Sequence, residues 1–563
     1  MRSARTASQR LTSLLLWALP LAFLAVFYVY PLAAVIGQAF RMPPGDGGQH
    51  IWAVVWKPLR FTVLQASLST LLTLLVGMPA AAVMARFKFP GKRLLRVLTT
   101  LPFILPTVVV AAGFNALLGP RGWVNLALMG LFNLTDPPVQ FLNSLGAILL
   151  AHVFYNTTIV LRVVGSEWSR LDTRLADSAR TLGATPWRVL CKVTLPLLKQ
   201  PILAATALVF LFNFTSFGVI LLLGGAGFAT LEVEIATRAL NLLDFRSAAV
   251  LSLVQLLCTL MITLGYQRVG RGRVISLTPR ISGENDRKPV TWMERLWVGV
   301  VVLVVVILLV TPLVALAARS VTKLEPDRGE RGGFTPRITL AYYQELFTNR
   351  RQSIFYVPPI QAVANSFLIA SIVVVISLVL GFITAYRLQS GGWARRAFDV
   401  LVMLPMGTSA VTLGLGFILV FGRVIMTLGI GFWLVPLAHS LVAYPFVVRT
   451  LQPAVAAIPP RLKQAASVLG ASPWQVWYRV ELPILKRAAM VSAIFAFTIS
   501  MGEFGATTFL ARPEYPTLPV AIYRFISQPG ALNYGQAMAM STILLMVCAA
   551  SIALLERLEQ GEA

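Results

Sequence analysis

Charge is scarce in this chain. Of its 563 residues only 12% are Asp, Glu, Lys or Arg, against 57% hydrophobic, where a soluble domain carries roughly 25% charged residues. That excludes an ordinary water-soluble globule. Cysteine is equally sparse. Cys191, Cys258 and Cys548 are scattered without a C-x-x-C pair, which excludes a disulfide framework and a cysteine zinc site. The three histidines, His50, His152 and His439, form no cluster, so no metal site is expected. Nowhere is there a G-x-x-x-x-G-K-[ST] loop, whose backbone amides would cradle nucleotide phosphates. This polypeptide is therefore expected not to hydrolyse ATP, and it offers no catalytic residue or cofactor site.

What is present is long apolar blocks. "VGVVVLVVVILLVTPLVALAA", Val298 to Ala318, runs 21 residues without a charge, and about 20 such residues cross the hydrocarbon core as a helix. The reading is an all-α polytopic membrane protein with about 12 transmembrane helices. They fall at roughly 11–39, 60–85, 97–118, 146–164, 199–223 and 247–266, then 297–318, 362–386, 397–421, 432–450, 488–511 and 535–555. Arg2, Arg5 and Arg10 precede the first block, which is too long for a signal peptide and lacks a small-residue cleavage site. The net charge of +26 comes from 48 Lys and Arg against 22 Asp and Glu. With both termini in the cytoplasm, most of the basic residues fall on the inner side, the bias that orients short loops. The charge therefore reports topology and not a nucleic-acid partner.

The chain also repeats itself. "LGATPWRVLCKVTLPLLK" from Leu182 returns as "LGASPWQVWYRVELPILK" from Leu469, 287 residues later. The same offset pairs His152 with His439, Arg162 with Arg449, Phe217-Gly218 with Phe504-Gly505, and Thr230-Leu231 with Thr517-Leu518. Further upstream, Leu105-Pro106 matches Leu404-Pro405 at an offset of 299. The extra residues sit in Arg319 to Ile360, a polar segment read as an external loop. The basic stretch Gln267 to Arg295 reads as an internal linker, with the boundary between halves near residue 285. The halves, 1–285 and 286–563, each hold an even number of spans. Both then run the same way across the membrane, a parallel repeat about an axis along its normal, with a central path between them.

The duplicated loops lie at about 165–199 and 452–487, between the fourth and fifth spans of each half and in the cytoplasm. In the first, Leu171, Leu175, Ala179 and Leu182 share a helical face. Gly183 suits the residue after a helix, where a left-handed backbone is cheap only for glycine. Thr185 is a good N-cap and Pro186 fits a first turn. A second short helix follows from Trp187, and Pro196 is expected to end it. Gly470, Ser472, Pro473 and Pro483 repeat the scheme.

The pattern [DQ]-x-A-x3-G-A-x8-V-x-L-P, present twice, resembles the cytoplasmic loop of permeases from binding-protein-dependent ABC importers. That family's loop opens on Glu-Ala-Ala. Here Asp177-Ser178-Ala179 and Gln464-Ala465-Ala466 stand in its place, so an acid is not common to both copies. "GPRGW" (Gly119 to Trp123), "SFG" (Ser216 to Gly218) and "GEFG" (Gly502 to Gly505) add a similarity to the fused permeases of the iron(III) and thiamine importer group. The resemblance implies a type I importer permease fold in the bacterial or archaeal inner membrane. It implies two ATP-binding subunits, here a homodimer, with ATP held on those partners, and an extracytoplasmic solute-binding protein. Asp177, Ala179, Gly183, Ala184, Pro196 and their counterparts Gln464, Ala466, Gly470, Ala471 and Pro483 would then couple to the ATPases. Iron(III), thiamine or another small cation such as a polyamine would be the solute.

Two other classes fit less well. A secondary transporter would want several charges within its spans to carry a coupling ion, and an intramembrane protease would want a Ser–His pair or paired aspartates. One acid, Glu503, is read as lying well inside a span, the eleventh, with Ser216 as its repeat partner. Glu503, Ser216 and Asn213 are candidate residues of the translocation path. The alternative for Glu503 is a hydrogen-bonded carboxyl that packs two helices, and for His152 and His439 a structural polar contact.

Overall fold

The computed structural model describes residues 17–41, 49–225, 227–269, 287–323, 337–348, 357–389, 393–428 and 431–560. The expected boundary near residue 285 lies outside them. The fold is all-α and polytopic. Among the described residues, nine helices are long and apolar enough to cross a membrane, or up to 11 if two bent pairs each count as one span.

The expected twelve continuous spans are not all found, and prolines and glycines account for the differences. The stretch 97–118 is divided into Lys92–Leu98, Leu101–Ile104 and Thr107–Leu118. Leu105 is extended (φ −67°, ψ 136°) because a residue before proline is pushed out of the helical region. Its counterpart Leu404-Pro405 opens the 3-10 turn Leu404–Gly407, where Arg395–Gly407 and Ala410–Gly422 meet at 99°. The stretches 199–223 and 488–511 also break. Lys199–Phe214 is followed by Gly218–Leu223, and Leu482–Gly502 by Gly505–Leu510. Glu503 therefore stands at a break, extended at φ −68° and ψ 123°, and not within a continuous span.

Pro483 does not end its helix, contrary to the sequence expectation, whereas the helix that holds Pro196 stops one residue later at Leu197, as expected, and turns by 69° into Lys199–Phe214. Each proline follows a π turn, Leu190–Thr194 and Trp477–Glu481, in which the N–H of Leu195 reaches Leu190 and that of Leu482 reaches Trp477. Proline removes one i→i−4 bond and its ring clashes with the carbonyl four residues back. Widening the preceding turn by one residue relieves the clash and lets the helix pass the proline, and in the second copy it runs on to Gly502. The same device, Ala25–Val29, precedes Pro31.

Between helices in lipid, small residues and close backbone approach do the work that apolar burial does in water. Here such contacts cross between the halves in reciprocal fashion. Helix Trp17–Phe40 packs on Ala410–Leu428, and Trp292–Ser320 packs on Thr107–Leu118. A Cβ at Gly416 would lie 2.9 Å from the Pro31 carbonyl oxygen, and one at Gly113 would lie 2.9 Å from that of Pro312. Tyr28 and Thr408 share a hydroxyl hydrogen bond of 2.8 Å, and Trp123 Nε1 donates to the Ala315 carbonyl at 3.1 Å. Each half thus lends its first helix to the other. Gly416→Ala and Gly113→Ala are each expected to cost about 1–3 kcal/mol through overpacking, read as a lower melting temperature in detergent. An unchanged melting temperature in the double variant would contradict this contact.

The segment read as an external loop starts with a residue that is not on the surface. Arg319 is buried, with its guanidinium 5.2 Å over the Tyr534 ring and Nη1 donating to the Thr322 carbonyl at 2.7 Å. Beyond it, Thr322–Lys323 pairs antiparallel with Arg337–Ile338.

Candidate functional site

The two loops adopt the same turn. Gly183 and Gly470 both have φ +83°. The N–H of Gly183 bonds Arg180 O at 2.9 Å and that of Ala184 bonds Ala179 O at 3.0 Å. In the second copy Gly470 bonds Ser467 O and Ala471 bonds Ala466 O, both at 3.1 Å. These are the paired closing bonds of a Schellman turn. The next helix starts at once. Thr185 accepts from the Arg188 N–H, and Ser472 forms a full capping box with Gln475. Both turns carry an unusual load of bare apolar surface. Leu182 is 88% exposed and Leu469 87%, while Trp187 is 71% and Trp474 68%. Asp177 and Gln464 are exposed as well, and Asp177 pairs only loosely with Arg180 at 3.7 Å. Ala179, Ala184, Ala466 and Ala471 are half-buried beneath the turn, and Pro196 and Pro483 are exposed.

The second cluster lies at the two broken spans. Phe217 and Phe504, paired by the repeat, stack on each other at 5.6 Å with 23° between their planes. A pseudo-two-fold axis therefore passes between these rings. Behind each ring stands the histidine of its own half. His152 shares hydrogen bonds with Ser69 through Nδ1 and with Ser216 through Nε2, both 2.9 Å. His439 does the same with Ser500 (Nδ1, 2.9 Å) and Thr507 (Nε2, 2.7 Å), and its Nε2 lies 3.2 Å from Glu503.

A break inside a membrane leaves backbone N–H groups without partners, which lipid cannot supply. Glu503 meets that need. Its carboxylate accepts from the N–H of Ala506 at 2.9 Å and of Thr507 at 3.0 Å, and from the Thr507 hydroxyl. Asn213 is buried too. It accepts from Asn156 at 2.7 Å, donates to Thr70 at 3.3 Å, and its carbonyl receives Gln65 at 2.8 Å. Asn213, Ser216 and Glu503 are thus each engaged within their own half, beside the shared aromatic stack.

The sequence profile described as "binding-protein-dependent transport system inner membrane component" matches residues 74–327 and 377–561. The chain belongs to that family. This permease is 28% identical over 559 residues to the thiamine transport system permease protein ThiP of Salmonella typhimurium, covering 96% of each chain. It is 27% identical over 527 residues to ThiP of Escherichia coli K12, covering 92% of this chain and 91% of the relative. A shorter relative, the putative 2-aminoethylphosphonate transport system permease protein PhnU of Salmonella paratyphi A, is 31% identical over 254 residues, 44% of this chain and 88% of its own. The resemblance to fused permeases of this group therefore holds, and the chain is a multi-pass inner-membrane transport subunit. These relatives are named for thiamine and 2-aminoethylphosphonate, so the expectation of iron finds no support.

One buried acid of the permease escaped the sequence reading. Glu232 accepts from the Ser409 hydroxyl at 2.7 Å and from the Gln255 amide, so it bridges the halves. It lies on the short helix Leu231–Ala236, outside both flanking spans expected from hydropathy. The matched Thr230-Leu231 was the available signal. The Leu231 N–H donates to Thr62 at 2.9 Å, and in the second copy the Leu518 N–H donates to Ser366 at 2.7 Å. Among the described residues no His, Cys, Asp and Glu group is suited to a metal ion.

Proposed function

We propose that this chain supplies both transmembrane halves of an ATP-driven importer for thiamine or a closely similar organic cation. Two identical ATPase subunits grip its two loops, and an extracytoplasmic binding protein delivers the solute. Both termini and both loops lie in the cytoplasm. ATP-driven closure of the ATPases moves the loops, the halves part, and access alternates across the stacked Phe217 and Phe504. The carrying observation is the duplicated turn with its bare apolar residues, Leu182 and Trp187 in one copy and Leu469 and Trp474 in the other. A two-fold assembly presents one pocket twice, and two matching knobs meet it. Thiamine is favoured by the full-length likeness to the two ThiP relatives.

Native mass measurement of the complex co-expressed with its ATPase is expected to give one permease chain to two ATPase chains. Proteoliposomes of that complex, supplied with its binding protein, are expected to accumulate radiolabelled thiamine with ATP. Two permease chains per complex would sink the assembly. Uptake of 2-aminoethylphosphonate in place of thiamine would sink the solute assignment alone.

A further inference from the structure

We propose that Lys463, Glu481 and Tyr386 latch the second coupling loop to the membrane spans, so that the two loops transmit the ATPase stroke unequally. The inference rests on the coupling role proposed for the loops. Lys463 stands on the loop helix Pro460–Val468, Glu481 ends the π turn Trp477–Glu481, and Tyr386 lies in the last turn of Pro359–Arg387. Lys463 Nζ is 2.9 Å from Glu481 Oε1 and 5.4 Å from the Tyr386 ring centroid. The Tyr386 hydroxyl donates to the other Glu481 oxygen. The Glu481 side chain is only 8% exposed and that of Lys463 34%. This is a shielded ion pair with a third partner, unlike a solvated surface pair, which contributes little.

The first loop has no ion pair at these places, only a single hydrogen bond from a span end. At the 287-residue offset Lys463 becomes Ala176 and Glu481 becomes Thr194, neither of which can be charged. Thr194 instead accepts from Arg86 Nη2 at 3.3 Å, and the Arg86 guanidinium lies 5.5 Å over Trp168. Ala176 offers no polar atom to that contact, so it does not reach the loop helix through this position. A second difference is independent of the first. After the second turn, Pro473–Gly502 is one helix of 30 residues, whereas after the first, Pro186–Leu197 meets Lys199–Phe214 at 69°. One loop therefore continues into a single unbroken helix, and its ion pair is pinned to a neighbouring span by Tyr386. The other continues across a bend. Identical pushes from two identical ATPases reach the spans rigidly on the second side and through a joint on the first. Lys463, Glu481 and Tyr386 are positioning residues in this scheme.

The test uses the full permease with its ATPase and binding protein in proteoliposomes, reading thiamine taken up per ATP hydrolysed together with ATPase stoichiometry. Glu481→Thr, which installs the first loop's residue, is expected to lower uptake per ATP about tenfold while the ATPases stay bound. Tyr386→Phe is expected to lower it about threefold, and Lys463→Arg to retain it. Trp474→Ala is expected to cost at least threefold more uptake than Trp187→Ala. If Glu481→Thr fails to fold, Tyr386→Phe and the tryptophan pair still decide. Equal losses in the two tryptophan variants, or an unchanged ratio in Tyr386→Phe, would overturn the latch while leaving the coupling role standing. If neither tryptophan variant alters ATPase binding or uptake, the coupling role itself is wrong and the latch falls with it.

Discussion

Replacing Gly183 and Gly470 with valine is expected to reduce uptake at least tenfold for each change and to strip the ATPase from the permease in the double variant. Both glycines sit at φ +83°, and a Cβ added at either would meet nothing within 4 Å. Space is therefore available, and the penalty is purely conformational. A left-handed backbone costs an ordinary L-residue about 1–2 kcal/mol, and a β-branched one more. The turn would relax by unwinding, which separates Leu182 from Trp187 and Leu469 from Trp474. Asparagine tolerates this backbone, so Gly183→Asn and Gly470→Asn are expected to retain most uptake. The measurement is the initial rate of thiamine uptake and ATPase co-purification at matched membrane levels. Normal uptake and normal co-purification in the double valine variant would remove the loops from the mechanism.

Removing both rings of the central stack is expected to turn the permease into a leak. Phe217 and Phe504 are both buried, and Phe504 also meets Tyr523 edge-on at 5.5 Å. With Phe217→Ala and Phe504→Ala together, ATP-driven accumulation of thiamine should fall at least tenfold. Preloaded proteoliposomes should lose thiamine without ATP. Leucine at both positions, which refills much of the volume, should restore the seal. Vesicles of the double alanine variant that remain tight without ATP would show that the stack packs the halves together and closes no path. A fall in folded yield is a separate outcome, since truncating a buried phenylalanine costs about 3–5 kcal/mol. Purified, monodisperse protein is therefore used for the flux measurement.

The loops were the most legible part of this chain because their geometry is written locally. Gly183, Thr185 and Pro186 each select one backbone conformation through their own side chains, and the copy at Gly470, Ser472 and Pro473 repeats the choice. The apolar spans were legible for a similar reason, since length and hydropathy act within a segment. The breaks were not. Thr215 to Phe217 and Glu503-Phe504 are short interruptions in apolar runs, and nothing in hydropathy separates a span from two half-helices. Glu503 satisfies the second break locally, through the N–H groups of Ala506 and Thr507, but the histidine beside it, His439, comes from far away. Pro483 misled because a proline's effect depends on the turn before it, and a π turn has no strong local signature. Glu232 stayed hidden because its partner Ser409 is 177 residues distant. The exchange of first helices depends on Pro31 meeting Gly416, a fit of shapes that neither residue announces alone.

That exchange sets a timetable for biogenesis. The bond between Tyr28 and Thr408 joins residues 380 apart. At about 5–20 residues per second, roughly 20–80 s of synthesis separate the first helix from the surface it finally covers. The later counterpart, Trp292–Ser320, waits for nothing, because Thr107–Leu118 has already been made. The ribosome therefore delivers one lobe with its mate in place and the other with its mate still unwritten. For that interval the Pro31 face has only lipid, or the insertion machinery, as a neighbour. The permease closes into its final form only when the second half arrives to take back the helix that was made first.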